Sequence, residues 1–186
     1  TADDVRRQAE EIAAANEALA PFRVLRGIEC DILPSGELDL PDDVLAELDW
    51  VVASLHTSFD RSPTERILAA IDNAHVDCIG HLTGRRLSRA QRAGGADVDV
   101  ERVVERAAAT GTALEINAQP DRLDLRDTHA RLAGEAGVLI PVDTDAHSVG
   151  ALAYAELGIA QARRAWLTKA QVLNTRTWRE IEKLRA

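Results

Sequence analysis

Short apolar runs alternate with helical stripes along this chain, and several of the apolar runs end in ionisable residues. At 138–148 the run VLIPVDTDAHS passes without a turn signal into Asp145, Ala146 and His147. Continuous valine, leucine and isoleucine followed at once by acids and a histidine predicts a buried parallel strand delivering ionisable side chains at its C-terminal tip. Asp145 and His147 are two apart, so extended chain projects them to one face. A carboxylate and an imidazole side by side ligate a divalent metal, or act as base and orienter. A strand-end aspartate capping the next helix, with the histidine packed beside it, explains the same pair structurally.

The rest of the chain repeats the alternation. Residues 1–20 read as an amphipathic helix, with Asp3 and Asp4 suited to its N-terminal dipole, Val5, Ala9, Ile12 and Leu19 compatible with one face, and Pro21 as the stop. FRVLRGIECDI predicts a strand with Glu29 and Asp31 on one face and Cys30 on the other, followed by a short helix with Pro41 at its start and Asp42 and Asp43 in its first turn. DWVVASLH predicts a second strand, ending in His56. Ser62, Pro63, Thr64 and Glu65 read as a capping box with proline at the first helical position, and Ile67, Leu68 and Ile71 give that helix an apolar face. HVDCIGH predicts a third strand ending in His81, and Arg85, Arg86, Arg89 and Arg92 lead from it to Gly94 and Gly95 as a basic, flexible loop. Val100, Val103, Val104, Ala107 and Ala108 form a buried helical stripe closed by Gly111. TALEIN predicts a fourth strand ending at Asn117, with Pro120 and Arg122 in the loop beyond; a helix over about 125–136 is closed by Gly137, and the 138–148 run is the fifth strand. The tail reads as helical, with Thr168/Gln171 and Thr177/Glu180 as further capping boxes.

Composition narrows the class. A chain of 186 residues with 46% hydrophobic and 28% charged content is large enough for one domain with a substantial core, and no linker divides it. No apolar run reaches membrane-spanning length, and no secretory segment opens the chain. Cys30 and Cys78 make no CxxC motif and fall in expected strands, which suggests reduced core residues and a cytoplasmic protein. The net charge of −9 argues against a general polyanion-binding surface. The chain lacks methionine and starts at Thr1, from which residues upstream are expected.

Strands alternating with helices indicate parallel β/α units, whose function gathers at the strand tips and the loops after them. Glu29, His56, His81, Asn117, and Asp145 with His147 occupy the tips of five expected strands in succession. Three imidazoles and two carboxylates on one face suit zinc, manganese or iron better than calcium. The arginine loop directly after His81 reads as a solvated charge run or as a phosphate clamp. His75 and His129 read as structural, and Trp50, Trp166 and Trp178 as core or helix-packing residues.

GIECDI, SLHTSF, GHLTGR, EINAQPDRLDL and DTDAH, in this order and spacing, resemble the later motifs of the PHP (polymerase and histidinol phosphatase) domain, in the version at the C-terminus of bacterial family X DNA polymerases. The resemblance covers the chain from about residue 1 to Asn174 and implies an α/β fold, a distorted (βα)7 barrel in one domain over 1–186. The family's first motifs, an HxH pair and further histidines, are absent, which implies that N-terminal β/α units lie upstream of Thr1. The length is also below the ~250 residues typical of a full barrel. Leu82, where polymerase-linked versions usually carry proline, is a smaller departure.

The resemblance also implies an enzyme: a phosphoric ester hydrolase using metal-activated hydroxide and up to three divalent ions, either a 3′-5′ exonuclease on DNA or a related phosphatase. Carried over by motif, Glu29 bridges two metals, His56 and His81 complete the second site, Asp145 ligates the first metal and His147 the third. Arg122 contacts substrate phosphate, with Arg85 and Asn117 as further substrate-binding candidates. The implied partners are phosphate esters, single-stranded DNA ends among them, and a polymerase domain upstream, without a membrane. Two rivals stand beside this reading. One is a non-catalytic metal-binding PHP scaffold. The other is an amidohydrolase-like enzyme, many of which need a strand-end lysine, whereas the only lysines here, Lys169 and Lys183, lie in the tail.

Overall fold

Alternating apolar runs and amphipathic helices fold into parallel β/α units in the computed structural model, which describes residues 1–90 and 93–185. The elements are α1 (Ala2–Leu19), β1 (Gly27–Asp31), α2 (Asp42–Leu45), β2 (Trp50–Ser54), α3 (Pro63–Ile71), β3 (Cys78–Ile79), α4 (Val100–Thr110), β4 (Ala113–Leu114), β5 (Ile116–Asn117), α5 (Asp127–Glu135), β6 (Val142–Asp143), α6 (Ala155–Arg164) and α7 (Trp178–Arg185). The turns Val149–Tyr154 and Leu173–Thr175 are 3₁₀-helical. No described helix is long and apolar enough to cross a membrane.

β1, β2, β3 and β4 pair in that order, all parallel, and β5 pairs parallel with β6. The expected fourth strand therefore divides, but it does not leave the sheet. Along 113–118 the amides of Ala113 and Glu115 donate to Asp77 and Ile79 on one side, at 2.8 and 3.1 Å. Those of Leu114, Ile116 and Ala118 donate to Leu139, Pro141 and Asp143 on the other, at 3.2, 2.8 and 2.9 Å. One extended segment thus joins both ladders into a continuous parallel run. A further parallel bridge, Ile140 with Val172, prolongs it.

The core is built from the inward faces of these units, with Val51, Ile67, Ile79, Val103, Leu114, Ile116 and Ile140 almost fully buried. Consecutive helices α3, α4, α5 and α6 pack side by side along the run. Gly111 closes α4 with φ +81, as the stripe predicted, although Ala108 faces solvent.

Several local expectations are corrected. Ser62 adopts φ +43 and makes no cap hydrogen bond, because a capping hydroxyl needs an extended N-cap backbone; Glu65 instead pairs with Arg102 at 2.7 Å. The amide and hydroxyl of Thr168 both donate to Gln171 Oε1, at 2.8 and 3.0 Å, but they close a turn that leads into the Val172 bridge, not into a helix. Thr177 and Glu180 do cap α7. Trp166 is 78% exposed and no core residue. His75 lies in the turn before β3, and Arg92 is outside the described residues.

One buried arginine was not anticipated. Arg66 of α3, 3% exposed, donates to the carbonyls of Leu33 (2.8 Å), Ile32, Thr57 (3.1 Å) and Ser58 (2.9 Å). Its guanidinium ties the chain leaving β1 to the chain leaving β2. Arg66→Met strands the Ile32 and Thr57 carbonyls and takes a second donor from those of Leu33 and Ser58, which keep the Gly36 and Arg61 amides, so urea denaturation should show a loss of about 3 kcal/mol. An unchanged midpoint would contradict this role.

Candidate metal centre

Parallel register places the first three site residues together. Glu29 and Asp31 share a face of β1, Asp31 pairs with Ser54, and His56 follows two residues beyond the end of β2. β3 pairs with β2 through Cys78 and Ile79, and His81 follows two residues beyond. Gly80 makes the approach between these strands possible, since a Cβ there would meet Ser54 Oγ at 2.4 Å and Val52 Cγ1 at 2.8 Å. As a result, ligand atoms of Glu29, His56 and His81 all lie within 4.8 Å of one another.

Glu29 Oε1 is 2.9 Å from His81 Nε2 and 3.6 Å from His56 Nε2, and the two rings meet edge-on with centroids 5.1 Å apart. Burial alone pushes the Glu29 carboxyl up, but the His81 and Ser54 contacts and the imidazole charges outweigh it and bring it down to about 2. Glu29 therefore stays ionised across the physiological range. His81 is 1% exposed, yet neither of its ring nitrogens has a hydrogen-bond partner of good geometry. A buried imidazole without such partners, facing a carboxylate and a second imidazole, fits a cation-ligand role. His81 also holds φ +25, a strained backbone for a residue with a side chain.

Asp145 and His147 do not join this group. The ladder ends at Asp143, and Asp145 turns into the left-handed region at φ +47, so the pair does not share an extended face as the spacing had predicted. Asp145 Oδ2 accepts from Asn117 Nδ2 at 3.2 Å and lies 3.8 Å from Arg122 Nε, whereas the His147 side chain is 85% exposed. Both nevertheless line one open cleft of about 530 Å³ together with Glu29, His56, Arg86 and Arg122. Gln119 and Tyr154, which sequence reasoning did not single out, line it as well.

The substrate-binding candidates separate in the same way. Arg122 is buried with an unpartnered Nε and reaches the cleft. Asn117 is fully buried; besides bonding Asp145 it accepts the Gln119 amide at 3.0 Å, so it orients the wall and does not face the cleft. Arg85 is occupied by the carbonyls of Arg122 (2.7 Å) and Leu123, and it is Arg86 that reaches the cleft, 3.4 Å from Asp121.

Beneath the floor lies a carboxyl pair that sequence reasoning missed. Glu115 Oε2 accepts the His81 amide at 2.5 Å. Burial and the neighbouring Asp143 charge push the Glu115 carboxyl well above the usual range. Burial likewise raises Asp143 to about 6. The available signal was an acid inside an otherwise apolar run, LEI, in TALEIN.

No protein-family model matches the chain. It is 45% identical over 185 residues to the DNA polymerase/3′-5′ exonuclease PolX of Bacillus subtilis, covering 98% of this chain and 32% of PolX. It is 33% identical over 172 residues to a probable phosphatase of Thermoanaerobacter sp. (strain X514), covering 86% of this chain and 66% of that relative. A probable phosphatase of Aliivibrio fischeri (strain ES114) is 29% identical over 169 residues, covering 84% of this chain and 64% of the relative. The chain thus spans about a third of PolX and somewhat under two thirds of these phosphatases.

The buried carboxyl pair yields a pH-dependent prediction for metal-free protein. Below the ordinary value of 3.8, Asp143 is neutral in folded and unfolded chains alike; from there to about 6 only the unfolded chain ionises, which costs native stability, and the cost is constant above. Asp143→Asn should therefore gain stability over wild type as pH rises from 3.8 to about 6 and keep that gain at higher pH. Urea midpoints with chelator present measure this, and a difference independent of pH would contradict it.

Proposed function

The chain belongs to the PHP (polymerase and histidinol phosphatase) family, and from that premise we propose that it is a metal-dependent phosphoesterase whose centre is Glu29, His56 and His81. The observation that carries this reading is the meeting of those three ligand atoms within 4.8 Å, with Glu29 and His56 lining a cleft that Arg86 and Arg122 also line. Two imidazoles and one carboxylate suit zinc or manganese better than calcium or magnesium. A cation held there supplies the positive charge that acidifies water and neutralises phosphate oxygens.

The chain's own residues do the rest. Glu29 remains an anion and so a ligand at any working pH. Arg122 and Arg86 hold non-reacting phosphate oxygens through paired N–H donors and orient the ester over the floor. Asn117 fixes the Asp145 carboxylate on the facing wall, where Asp145 and the exposed His147 supply ligands for further ions. The continuous parallel run with helices packed along it supports a partial, distorted (βα)7 barrel forming a single domain over residues 1–186.

For the substrate, the name of PolX supports 3′-5′ exonuclease action on DNA ends, and the names of the phosphatases support small phosphate monoesters. Among the described residues the cleft is lined by Tyr154 and the imidazoles of His56 and His147 but by no phenylalanine or tryptophan, which keeps the second reading open. A non-catalytic metal-binding scaffold would need the same three ligands, and it is less well supported because the relatives are named as an exonuclease and as phosphatases.

With manganese, the protein should release mononucleotides from end-labelled single-stranded DNA or phosphate from a monoester. His56→Ala should lower either rate by roughly a hundredfold, about 2.7 kcal/mol of barrier, with an unchanged melting curve. Equal turnover by the variant would remove this centre from the mechanism.

A further inference from the structure

The centre's two histidines are held in different ways. His81 is locked by packing: its ring is 1% exposed and its amide is bound by Glu115 at 2.5 Å. His56 has no such enclosure, since its side chain is 35% exposed. What fixes it is Asp31, whose Oδ1 lies 2.5 Å from His56 Nδ1. Asp31 is itself clamped, with its amide donating to Asp39 Oδ1 at 2.9 Å and its carbonyl accepting from the Asp39 amide at 3.1 Å.

The strand pattern explains the arrangement. Glu29 and Asp31 are two residues apart on one face of β1, and His56 reaches across from beyond the neighbouring strand. Each ring nitrogen therefore meets a carboxylate from β1: Nδ1 meets Asp31, and Nε2 faces Glu29 at 3.6 Å. A carboxylate accepts and does not donate, so the proton of the short contact belongs to Nδ1. Nε2 points at the group formed with Glu29 and His81, so in the neutral ring its lone pair would be the one offered there.

We propose that Asp31 is the positioning residue of this centre, holding His56 in the Nδ1-protonated tautomer so that Nε2 is presented as the ligand. The inference rests on the metal-centre reading above, but its first readout needs no metal. An ion pair this exposed adds little to folding, since the Asp31 side chain is 47% exposed, so fold stability does not account for the contact. Partners that fix the far nitrogen of a ligating histidine typically matter roughly 10–100-fold in metal affinity.

The test uses metal-free protein and long-range proton–nitrogen NMR of the imidazoles, followed by titration with manganese and with zinc. In wild type, at a pH where the ring is neutral, His56 should carry its proton on Nδ1. Asp31→Ala should release His56 into a tautomer mixture, leave the His81 signals in place, and weaken metal binding roughly 10–100-fold without a change in melting temperature. Asp31→Asn, whose amide oxygen still accepts from Nδ1–H, should restore most of the affinity. An Nε2-protonated His56 in wild type would overturn the proposal, as would unchanged tautomer and affinity in Asp31→Ala. Metal binding with normal Asp31 dependence but no phosphoesterase activity would leave Asp31 in its role and overturn the functional reading instead.

Discussion

The site depends on one electrostatic fact: an ionised glutamate is kept half-buried between two imidazoles. Burial by itself would drive the Glu29 carboxyl toward its neutral form, and His81, Ser54 and His56 reverse that outcome. The balance requires three neighbouring strands in one register, because Glu29 stands within β1 while His56 and His81 follow the ends of β2 and β3. A slip of one residue in any ladder would turn its ligand to the opposite face.

Much of the surrounding structure holds that register. Arg66 ties together the segments that follow Asp31 and precede α3, and Gly80 admits the close approach of β2 and β3. His81 and Asp145 both sit at positive φ, a conformation that costs about 1–3 kcal/mol for such residues and persists only where neighbours enforce it. Glu115 provides part of that enforcement by binding the His81 amide. The floor of the cleft is therefore rigid on the His81 side and hydrogen-bonded but solvent-facing on the His56 side.

The order of strands and helices was legible in the sequence, because buried parallel strands leave continuous apolar runs and the helices leave a periodic stripe. Cys30 and Cys78 are free and buried, as their placement in those runs implied. His56 and His81 were legible for the same reason, since each stands at the end of an apolar run, whereas Glu29 lies in the middle of β1 and not at its expected tip. Asp145 and His147 were placed in the right cleft but the wrong geometry, because a left-handed residue after β6 leaves no trace in an apolar–polar pattern. Arg85 and Arg86 differ only in which carbonyls and carboxylates the fold brings to them, so adjacency could not tell the structural arginine from the one lining the cleft. Arg66 was invisible for a related reason, since a charge within a helix normally signals a solvated face, whereas Glu115 left an unread signal as an acid inside the apolar run of TALEIN.

Anomalous X-ray scattering from crystals grown with zinc addresses the centre most directly. A peak is expected about 2.0–2.2 Å from one ring nitrogen each of His56 and His81 and from a carboxylate oxygen of Glu29. Zinc confined to Asp145 and His147, or to the Glu115–Asp143 pair, with Glu29 left unligated, would contradict the assignment of the centre to these three residues.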